Sequence, residues 1–367
     1  MSLKDNFRKV VINLLEKFLA VPEYSDRSLG NPKNILVIRQ HNQFGDLLAS
    51  ISLFRAIKET YPDCRLTLIA SPENYYAVDK NKYIDEIFVF KNNKLWIPNY
   101  IYRLKKLLRR NWDLAIVPVT VAVSLTSCIL TGLSKAKIKI GPKELNGNKN
   151  NLAFVFNHRI KLDWRKCPDA HVSDFILDII RPFGIRTKNY STSVFFDEAD
   201  IKTANQFIES LLPKDDCTLI GFHIGAGKPQ NRWQLEKYVE LIKRIKSKMN
   251  IKIYFTGSDS DKEELDFMKK HCGNNCRYFL NKSIPQLAAL ISLSNFFITN
   301  DTGVMHVAGA TATPQISIFG PTNPFNWAPV GPTKYFLRKS ELISDVSVDA
   351  VFDLFNYLLE KQKNEKH

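Results

Sequence analysis

The chain has 367 residues, 44% of them apolar, which is typical of a globular protein with two domains that each bury a core. Lys and Arg number 52 against 37 Asp and Glu, so the formal net charge is +15. Such a positive field attracts nucleic acid, anionic lipid or acidic small molecules, and a solvated basic surface explains it equally well. No RNA-recognition signature and no apolar run of membrane-spanning length occurs in the sequence, so neither class is expected.

The first predicted element is an amphipathic helix within residues 1–33. Seven apolar side chains share one face at helical spacing: Phe7, Val10, Val11, Leu14, Leu15, Phe18 and Leu19. Lysines and arginines lie elsewhere around the helix, and Glu16 and Lys17 interrupt the apolar run, which argues against a signal peptide. The apolar face could lie on an anionic membrane surface or pack on the protein itself, and the sequence leaves both open.

Short apolar runs alternate with helical segments from Asn34 onward. Strands are predicted at 35–38, 65–69, 87–90 and 114–117, and a helix at 46–60. This alternation predicts βαβ units around a parallel sheet. Pro, Gly and polar residues at 181–193 predict a domain boundary, so the first domain is expected to span 34–190.

The turn from Arg39 to Asp46 follows the first predicted strand. Gly45 permits a tight turn, and Asp46 opens a helix whose dipole favours an ionised carboxylate. A carboxylate at a strand end can act as a general base, and a simple helix N-cap is the alternative. His41 is a second candidate base, or else a structural or substrate contact.

The alternation restarts in a second domain, expected at 191–340. Strands are predicted at 218–223, 251–256, 296–299 and 315–319, with helices at 235–249, 261–270 and 284–292. The last segment, 341–367, contains an amphipathic helix at 348–361, which we expect to pack back on the N-terminal domain. The sequence therefore predicts two doubly wound α/β domains, whose ligands bind beyond the carboxyl ends of the strands.

The six cysteines are scattered through apolar or mixed contexts, and no second pair at zinc spacing accompanies Cys272 and Cys276. All six are predicted to be reduced thiols in a cytoplasmic protein.

A glycine-containing loop, His223 to Trp233, follows the first strand of the second domain. Gly225 and Gly227 would let backbone N–H groups approach a phosphate, with Lys228 and Arg232 as countercharges. The glycine spacing fits neither a Walker A loop nor the dinucleotide fingerprint.

Three further turns carry polar groups at strand ends. The turn from Thr256 to Asp261 offers carboxylates that could accept hydrogen bonds from ribose, or that simply begin a helix. Asp301, Thr302 and Gly303 follow a buried strand and precede a helix, an arrangement typical of an anion site, with an N-cap aspartate as the alternative. The turn at Gly320 follows what we predict to be the last strand.

Together, these motifs resemble the heptosyltransferase family, glycosyltransferase family 9. The resemblance rests on Gly45-Asp46 after the opening strand, the His223–Trp233 loop, Asp301-Thr302-Gly303 with His306, and Phe319-Gly320-Pro321-Thr322, in this order, over about 34–327. It implies a GT-B fold, with two Rossmann-like doubly wound parallel-sheet domains facing across a cleft. It also implies inverting transfer of heptose from ADP-heptose to a lipopolysaccharide inner-core acceptor, without an essential metal or other cofactor.

The resemblance also implies roles for individual residues. Asp46 matches the family's proposed general base, with Gly45 and His41 on the acceptor side. Asp301, Thr302, Gly303 and His306 match the turn that binds the sugar nucleotide. Donor contacts are further implied for Gly225, Ala226, Lys228, Arg232 and Asp261, with Glu263 as a rival to Asp261.

The chain departs from the family pattern in two places. Asn42-Gln43-Phe44 stands where relatives often carry serines before Gly-Asp. Asn231 stands where many relatives have a phosphate-contacting lysine, so the donor could differ from ADP-heptose, with Arg232 or Lys228 as substitutes for that lysine.

The expected function is therefore an inverting glycosyltransferase. The alternatives are transfer from another nucleotide sugar, a sugar-nucleotide epimerase of the same fold, and a non-catalytic protein that binds an anionic ligand. Expected partners are a nucleotide-sugar donor, an anionic glycolipid acceptor and an anionic inner-membrane surface, to which the protein would attach from the cytoplasmic side. No nucleic acid is expected.

Overall fold

The computed structural model describes residues 3–40, 44–211, 217–272 and 276–364, with side chains from residue 9 onward. The chain divides into two compact units. The first comprises Met1–Ala77 and Asn81–Tyr190, and the second comprises Val78–Lys80 and Ser191–His367. The main division therefore falls after Tyr190.

The first unit is an α/β domain around one sheet. Its strands are β1 (Asn34–Arg39), β2 (Arg65–Ala70), β3 (Glu86–Val89), β4 (Leu114–Ile116), β5 (Ile138–Leu145), β6 (Asn148–Lys149) and β7 (His158–Leu162). Its α-helices are α1 (Leu3–Leu19), α2 (Phe44–Ala49), α3 (Ile51–Thr60), α4 (Pro98–Leu108), α5 (Leu125–Leu133) and α6 (Val172–Phe175). The strand order is β3-β2-β1-β4-β5-β6, with β7 also paired to β5, and every pairing except β5–β6 is parallel.

The second unit is built on the same plan. Its strands are β8 (Thr218–His223), β9 (Ile251–Gly257), β10 (Cys276–Leu280), β11 (Phe296–Asn300), β12 (Gln315–Ile318) and β13 (Lys334–Leu337). Its α-helices are α7 (Glu198–Glu209), α8 (Leu235–Lys248), α9 (Lys262–Cys272), α10 (Ile284–Ser292), α11 (Gly303–Gly309), α12 (Pro324–Trp327) and α13 (Val348–Asn364). The order β10-β9-β8-β11-β12-β13 is entirely parallel, as in a doubly wound dinucleotide-binding sheet.

The central strands are buried on both faces because their sequences are almost continuously apolar. Strand β11, Phe-Phe-Ile-Thr-Asn, is buried at every position, and β1 is buried from Ile35 to Arg39. A strand of this kind requires helices on both sides of its sheet. In the second unit, the core also contains Trp233 and Tyr238 at the start of α8.

Strand β13 corrects one prediction. The turn at Gly320 does not follow the last strand, because β13 pairs in parallel with β12, starting with Lys334 opposite Gln315. All four residues of β13 are only partly buried, as expected for an edge strand, so its sequence lacks the apolar run by which buried strands are recognised.

The packing of the C-terminal helix α13 corrects a second prediction. We expected α13 to pack on the N-terminal domain, but its buried residues belong to the core of the second unit. The Phe355 ring lies 4.8 Å from that of Phe296 in β11, measured between centroids. The apolar face of α13 therefore completes the second unit.

The apolar side chains of the N-terminal helix α1 form two groups that differ in exposure. Ile12, Leu15 and Leu19 are half-buried, whereas Val10, Leu14 and Phe18 are 65%, 56% and 76% exposed. Beyond the helix, the backbone N–H of Val21 donates to the carbonyl of Phe154, 3.0 Å away, which ties the segment to the first unit. Part of the apolar face thus packs on the protein, and part remains on the surface. Within the described residues, no helix is both long and apolar enough to cross a membrane.

Candidate functional site

The strand order of the second sheet places a crevice between β8 and β11. The chain leaves these neighbouring strands toward opposite sides of the sheet, and doubly wound domains bind ligands at the carboxyl ends of such strands. The two segments that follow, His223–Trp233 and Asn300–Gly303, contain most of the residues for which the family resemblance implies donor contacts, apart from Asp261 and His306.

Asn300, at the end of β11, connects the two segments. Its side-chain amide donates to the carbonyl oxygens of Ile224, at 2.7 Å, and Gly225, at 3.3 Å. Its side-chain oxygen accepts from the backbone N–H of Trp233 and from the hydroxyl of Tyr238. Through these hydrogen bonds, the fully buried Asn300 side chain fixes both ends of the glycine loop.

Asn231 and Asp301 form a second connection. The Asn231 amide donates to the carboxylate of Asp301, at 2.9 Å, and to its backbone carbonyl, at 3.2 Å. Burial raises the pKa of Asp301, whereas a hydrogen bond from Thr322 and the charge of Lys228 oppose that rise. The Asp301 turn, the glycine loop and the Gly320 turn therefore meet at this carboxylate.

The N-cap alternative for Asp301 is wrong. The N-cap residue of α11 is Thr302, which makes no side-chain capping bond, and Gly303 is the first helical residue. His306 lies in the same helix, is 8% exposed and packs edge-on to the ring of Trp327. Asp301 is thus held by side chains from other segments and does not cap its own helix.

Gly225 lies against Asp261, which belongs to the 3-10 turn Asp259–Asp261 that follows β9. A Cβ atom at Gly225 would lie only 2.1 Å from Asp261 Oδ1, whereas one at Gly227 would meet nothing within 4 Å. The other carboxylate oxygen of Asp261 accepts from the N–H and hydroxyl of Ser258, which forms a capping box. Asp261 is therefore buried against the glycine loop, whereas Glu263 is exposed on α9.

The two predicted countercharges have different surroundings. Arg232 donates from Nε to the carbonyl of Ala226, at 2.8 Å, and its guanidinium pairs with Glu264. Arg232 thus fixes the conformation of the glycine loop and links it to Glu264. Lys228 is exposed and forms no ion pair with the described residues, so it is the better placed of the two to meet an incoming anion.

The first unit has its own switch point, between β1 and β4. Arg39 ends β1 and donates to the carbonyl of Pro118 and, at 2.7 Å, to the hydroxyl of Thr120, both beyond β4. Its Nη2 lies 3.7 Å from Oδ2 of Asp46, and the two side chains are 3% and 1% exposed. Burial lowers the pKa of Arg39, and the nearby charge of Asp46 raises it.

Asp46 occupies the third position of α2, after Phe44 and Gly45, so it is not the residue that precedes the helix. The Asp46 carboxylate lies beside the buried guanidinium of Arg39, an arrangement that a helix N-cap does not require. His41, the other candidate base, lies outside the described residues.

Three residues of these sites were not assigned roles from the sequence: Arg39, Asn300 and, as a partner of Asp301, Asn231. Arg39 and Asn300 share a signal, a polar side chain at the last position of a buried strand, whereas Asn231 lies in the 3-10 turn Pro229–Asn231 of the glycine loop. Among the described residues, no group of three or more His, Cys, Asp or Glu side chains is arranged to hold a metal ion.

Comparison with protein families identifies one match. The model of glycosyltransferase family 9 (heptosyltransferase) matches residues 101–347, more than half of the chain. Among similar proteins, lipopolysaccharide core heptosyltransferase OpsX of Haemophilus influenzae is 26% identical over 305 residues, covering 81% of this chain and 82% of the relative. Lipooligosaccharide heptosyltransferase 2 of the same organism is 24% identical over 327 residues, covering 84% and 89%.

Solved structures show the same fold. A family 9 glycosyltransferase from Veillonella parvula has a TM-score of 0.74 at 20% identity, covering 93% of this chain and all of that one. ADP-heptose LPS heptosyltransferase II of E. coli has a TM-score of 0.71 at 22% identity, covering 90% and 99%. E. coli heptosyltransferase WaaC, solved with ADP, has a TM-score of 0.66 at 17% identity, covering 89% and 99%.

Two doubly wound parallel-sheet domains, each with a polar site at its switch point, thus coincide with a family match across most of the second unit and part of the first. The chain has the GT-B fold, is a glycosyltransferase, and belongs to glycosyltransferase family 9, the heptosyltransferases.

Proposed function

We propose that this protein transfers a heptose from ADP-heptose, with inversion, to a lipopolysaccharide inner-core sugar or a related glycolipid acceptor. The observation that carries the proposal is the closed polar site of the second unit, where Asn300 and Asn231 tie the glycine loop to the Asp301 turn. The names of the relatives, which include lipopolysaccharide heptosyltransferases, support the acceptor class, and the ADP-bound WaaC structure supports the nucleotide.

On the donor side, the leaving group is a nucleoside diphosphate whose negative charge grows as the glycosidic bond breaks. Fixed N–H donors and cations stabilise such charge most effectively when they need not reorganise. Loop residues Gly225 and Ala226, with Lys228, would meet the diphosphate, while Arg232 holds the loop in place through Ala226. Asp301, Thr302, Gly303 and His306 would contact the sugar and phosphates, and Asp261 the ribose. No metal ion is required in this scheme.

On the acceptor side, Asp46 would remove the proton from the attacking hydroxyl. Arg39 is anchored to Thr120 and Pro118, so its charge is fixed beside the carboxylate. Electrostatic attraction to this cation would keep Asp46 in one position as the hydroxyl approaches. Gly45 and His41 are proposed to border the same acceptor region.

The test is a transfer assay with ADP-heptose and a purified inner-core acceptor. Asp46→Ala should bind ADP normally but lose transfer by about 100-fold or more, as removal of a general base commonly does. Asp46→Asn, which keeps the shape but removes the charge, is the matched control for packing and should be equally inactive. Near-normal turnover in either variant would exclude Asp46 as the base.

The nucleotide is tested separately by thermal shift with ADP, UDP and GDP. A ligand that binds only the folded protein raises its melting temperature by mass action. A shift with ADP alone supports the proposed donor. A shift with UDP or GDP alone would favour another nucleotide sugar as the donor. This alternative is worth testing because Asn231 stands where many relatives have a lysine. Turnover of the donor without acceptor would instead favour an epimerase.

We also propose that α1 places the enzyme on an anionic inner-membrane surface. Val10, Leu14 and Phe18 form an exposed apolar stripe, with Lys17 exposed beside it. A surface helix of this kind can insert its apolar side chains among lipid headgroups. Leu14→Ser with Phe18→Ser should weaken binding to anionic vesicles, and unchanged binding would contradict the role of this helix.

A further inference from the structure

Helix α4 and the turn before it expose an unusual combination of side chains. Residues 91–110 contain seven Lys or Arg and no Asp or Glu. Within this segment, Leu95, Trp96 and Tyr102 are 43%, 79% and 64% exposed. We call the exposed basic, aliphatic and aromatic side chains of this segment, apart from Arg110, the basic-aromatic patch: Lys94, Leu95, Trp96, Tyr102, Arg103, Lys105, Lys106 and Arg109.

The patch is presented outward by the packing of α4. Leu104, Leu107 and Leu108 are buried and fix one face of the helix on the first unit. Tyr102 and Lys106, spaced by four residues, lie on the opposite face. Ahead of the helix, all residues from Asn92 to Trp96 are exposed, so the apolar Leu95-Trp96 pair projects from a surface turn.

The charges of the patch are not neutralised by neighbours. At the end of the segment, Arg110 pairs with Glu86 and is excluded from the patch for that reason. Among the described residues, the five basic side chains of the patch form no ion pair. An uncompensated basic surface with a protruding tryptophan is complementary to a surface that is both anionic and partly apolar.

We propose that the basic-aromatic patch docks the first unit on an anionic lipid bilayer. Tryptophan and tyrosine favour the bilayer interface because their rings are apolar with one polar edge. Lysine and arginine next to them are attracted by anionic headgroups, each strengthening partitioning by roughly fivefold. The inference deepens the proposed function, on which it rests only for the membrane location of the acceptor. It concerns a surface distinct from α1.

The first experiment measures sedimentation of the full-length protein with vesicles of phosphatidylethanolamine and phosphatidylglycerol. The variant Lys105→Gln/Lys106→Gln/Arg109→Gln should bind about 100-fold more weakly, as three such charges predict. The matched control, Lys243→Gln/Lys246→Gln/Lys262→Gln, removes the same charge from exposed positions in the second unit and should bind nearly as wild type does. Equal losses in both variants would mean that net charge alone drives binding, and would overturn the proposal.

Trp96→Ser tests the apolar part independently. Vesicles should shift the tryptophan emission of the wild type to the blue, and this shift should largely disappear in the variant, whose melting temperature and ADP binding should be unchanged. A full shift in the variant would overturn insertion of Trp96.

The last measurement distinguishes the bilayer from the acceptor. The triple patch variant should transfer to a lipid-free acceptor at the wild-type rate, but more slowly to an acceptor embedded in vesicles. Equal losses with both acceptors would show that the patch binds the acceptor itself, which would overturn the proposal. If the wild type transfers to neither acceptor while vesicle binding still depends on the patch, the proposed function fails and the docking surface stands.

Discussion

Gly225 and Gly227 provide the sharpest test of the donor site, because the same methyl group should destabilise the protein at Gly225 and have little effect at Gly227. In Gly225→Ala, the new Cβ atom would lie 2.1 Å from Oδ1 and 2.7 Å from Cγ of Asp261. Contacts this short cannot persist, so the loop or the carboxylate must move. In Gly227→Ala, the methyl group meets no atom within 4 Å.

The expected cost follows from what Asp261 does. Its Oδ2 accepts from the N–H of Ser258 at 2.8 Å and from the hydroxyl at 3.0 Å, so displacement removes a capping box that contributes about 1 kcal/mol. Overpacking at a buried glycine adds about 1–3 kcal/mol. Together these predict a loss of about 2–4 kcal/mol, or a melting temperature lower by about 5–15 °C for a unit of this size.

The assay is thermal unfolding of both variants beside wild type, followed by calorimetric titration with ADP. Gly225→Ala should melt at a lower temperature than wild type. It should also bind ADP more weakly, because a shift of the loop would disturb the hydrogen bonds from Asn300 to the carbonyls of Ile224 and Gly225. Gly227→Ala should melt within about 2 °C of wild type, since a surface substitution without contacts changes stability little. Similar melting temperatures for the two variants would refute the placement of Asp261 against Gly225.

Three further outcomes are expected. Asn231→Ala should weaken ADP binding by about tenfold in calorimetry, because Asp301 loses two hydrogen bonds; unchanged affinity would remove Asn231 from the site. Burial lowers the pKa of Lys334 to about 7, so the folded state holds this proton less tightly than the unfolded chain. The free energy of unfolding, measured with urea and taken relative to Lys334→Met, should therefore rise between about pH 7 and pH 10, and a flat profile would contradict this. The rate of heptose transfer should be unchanged in EDTA. A loss of activity in EDTA that added Mg²⁺ restores would contradict the metal-free scheme.

The central strands could be predicted because they are buried on both faces. Their apolar runs are nearly continuous, so β1, β8 and β11 were predicted to within about two residues. Strand β5 was missed because Lys, Gly and Pro interrupt it, and its pairing with β7 shifts register between Pro142 and Glu144. Proline cannot donate to the ladder, so such a strand carries no simple pattern.

The candidate site shows the same limit. Polar residues at strand ends marked turns that the structure brings together, since the carboxyl ends of parallel strands share one edge of a sheet. Which side chains join those turns could not be predicted, because Asn231 and Asp301 lie 70 positions apart. Spacing along the chain carries no information about a hydrogen bond at that separation.

The packing of the C-terminal segment has a consequence for how the protein is made. Trp233, at the end of the glycine loop, donates its indole N–H to the carbonyl of Val346, 113 residues later. Synthesis proceeds at about 5–20 residues per second, so the ribosome needs roughly ten seconds to add this partner after Trp233. During that interval the loop lacks its final anchor. The nascent chain should therefore acquire nucleotide affinity late, well after the first unit has been synthesised.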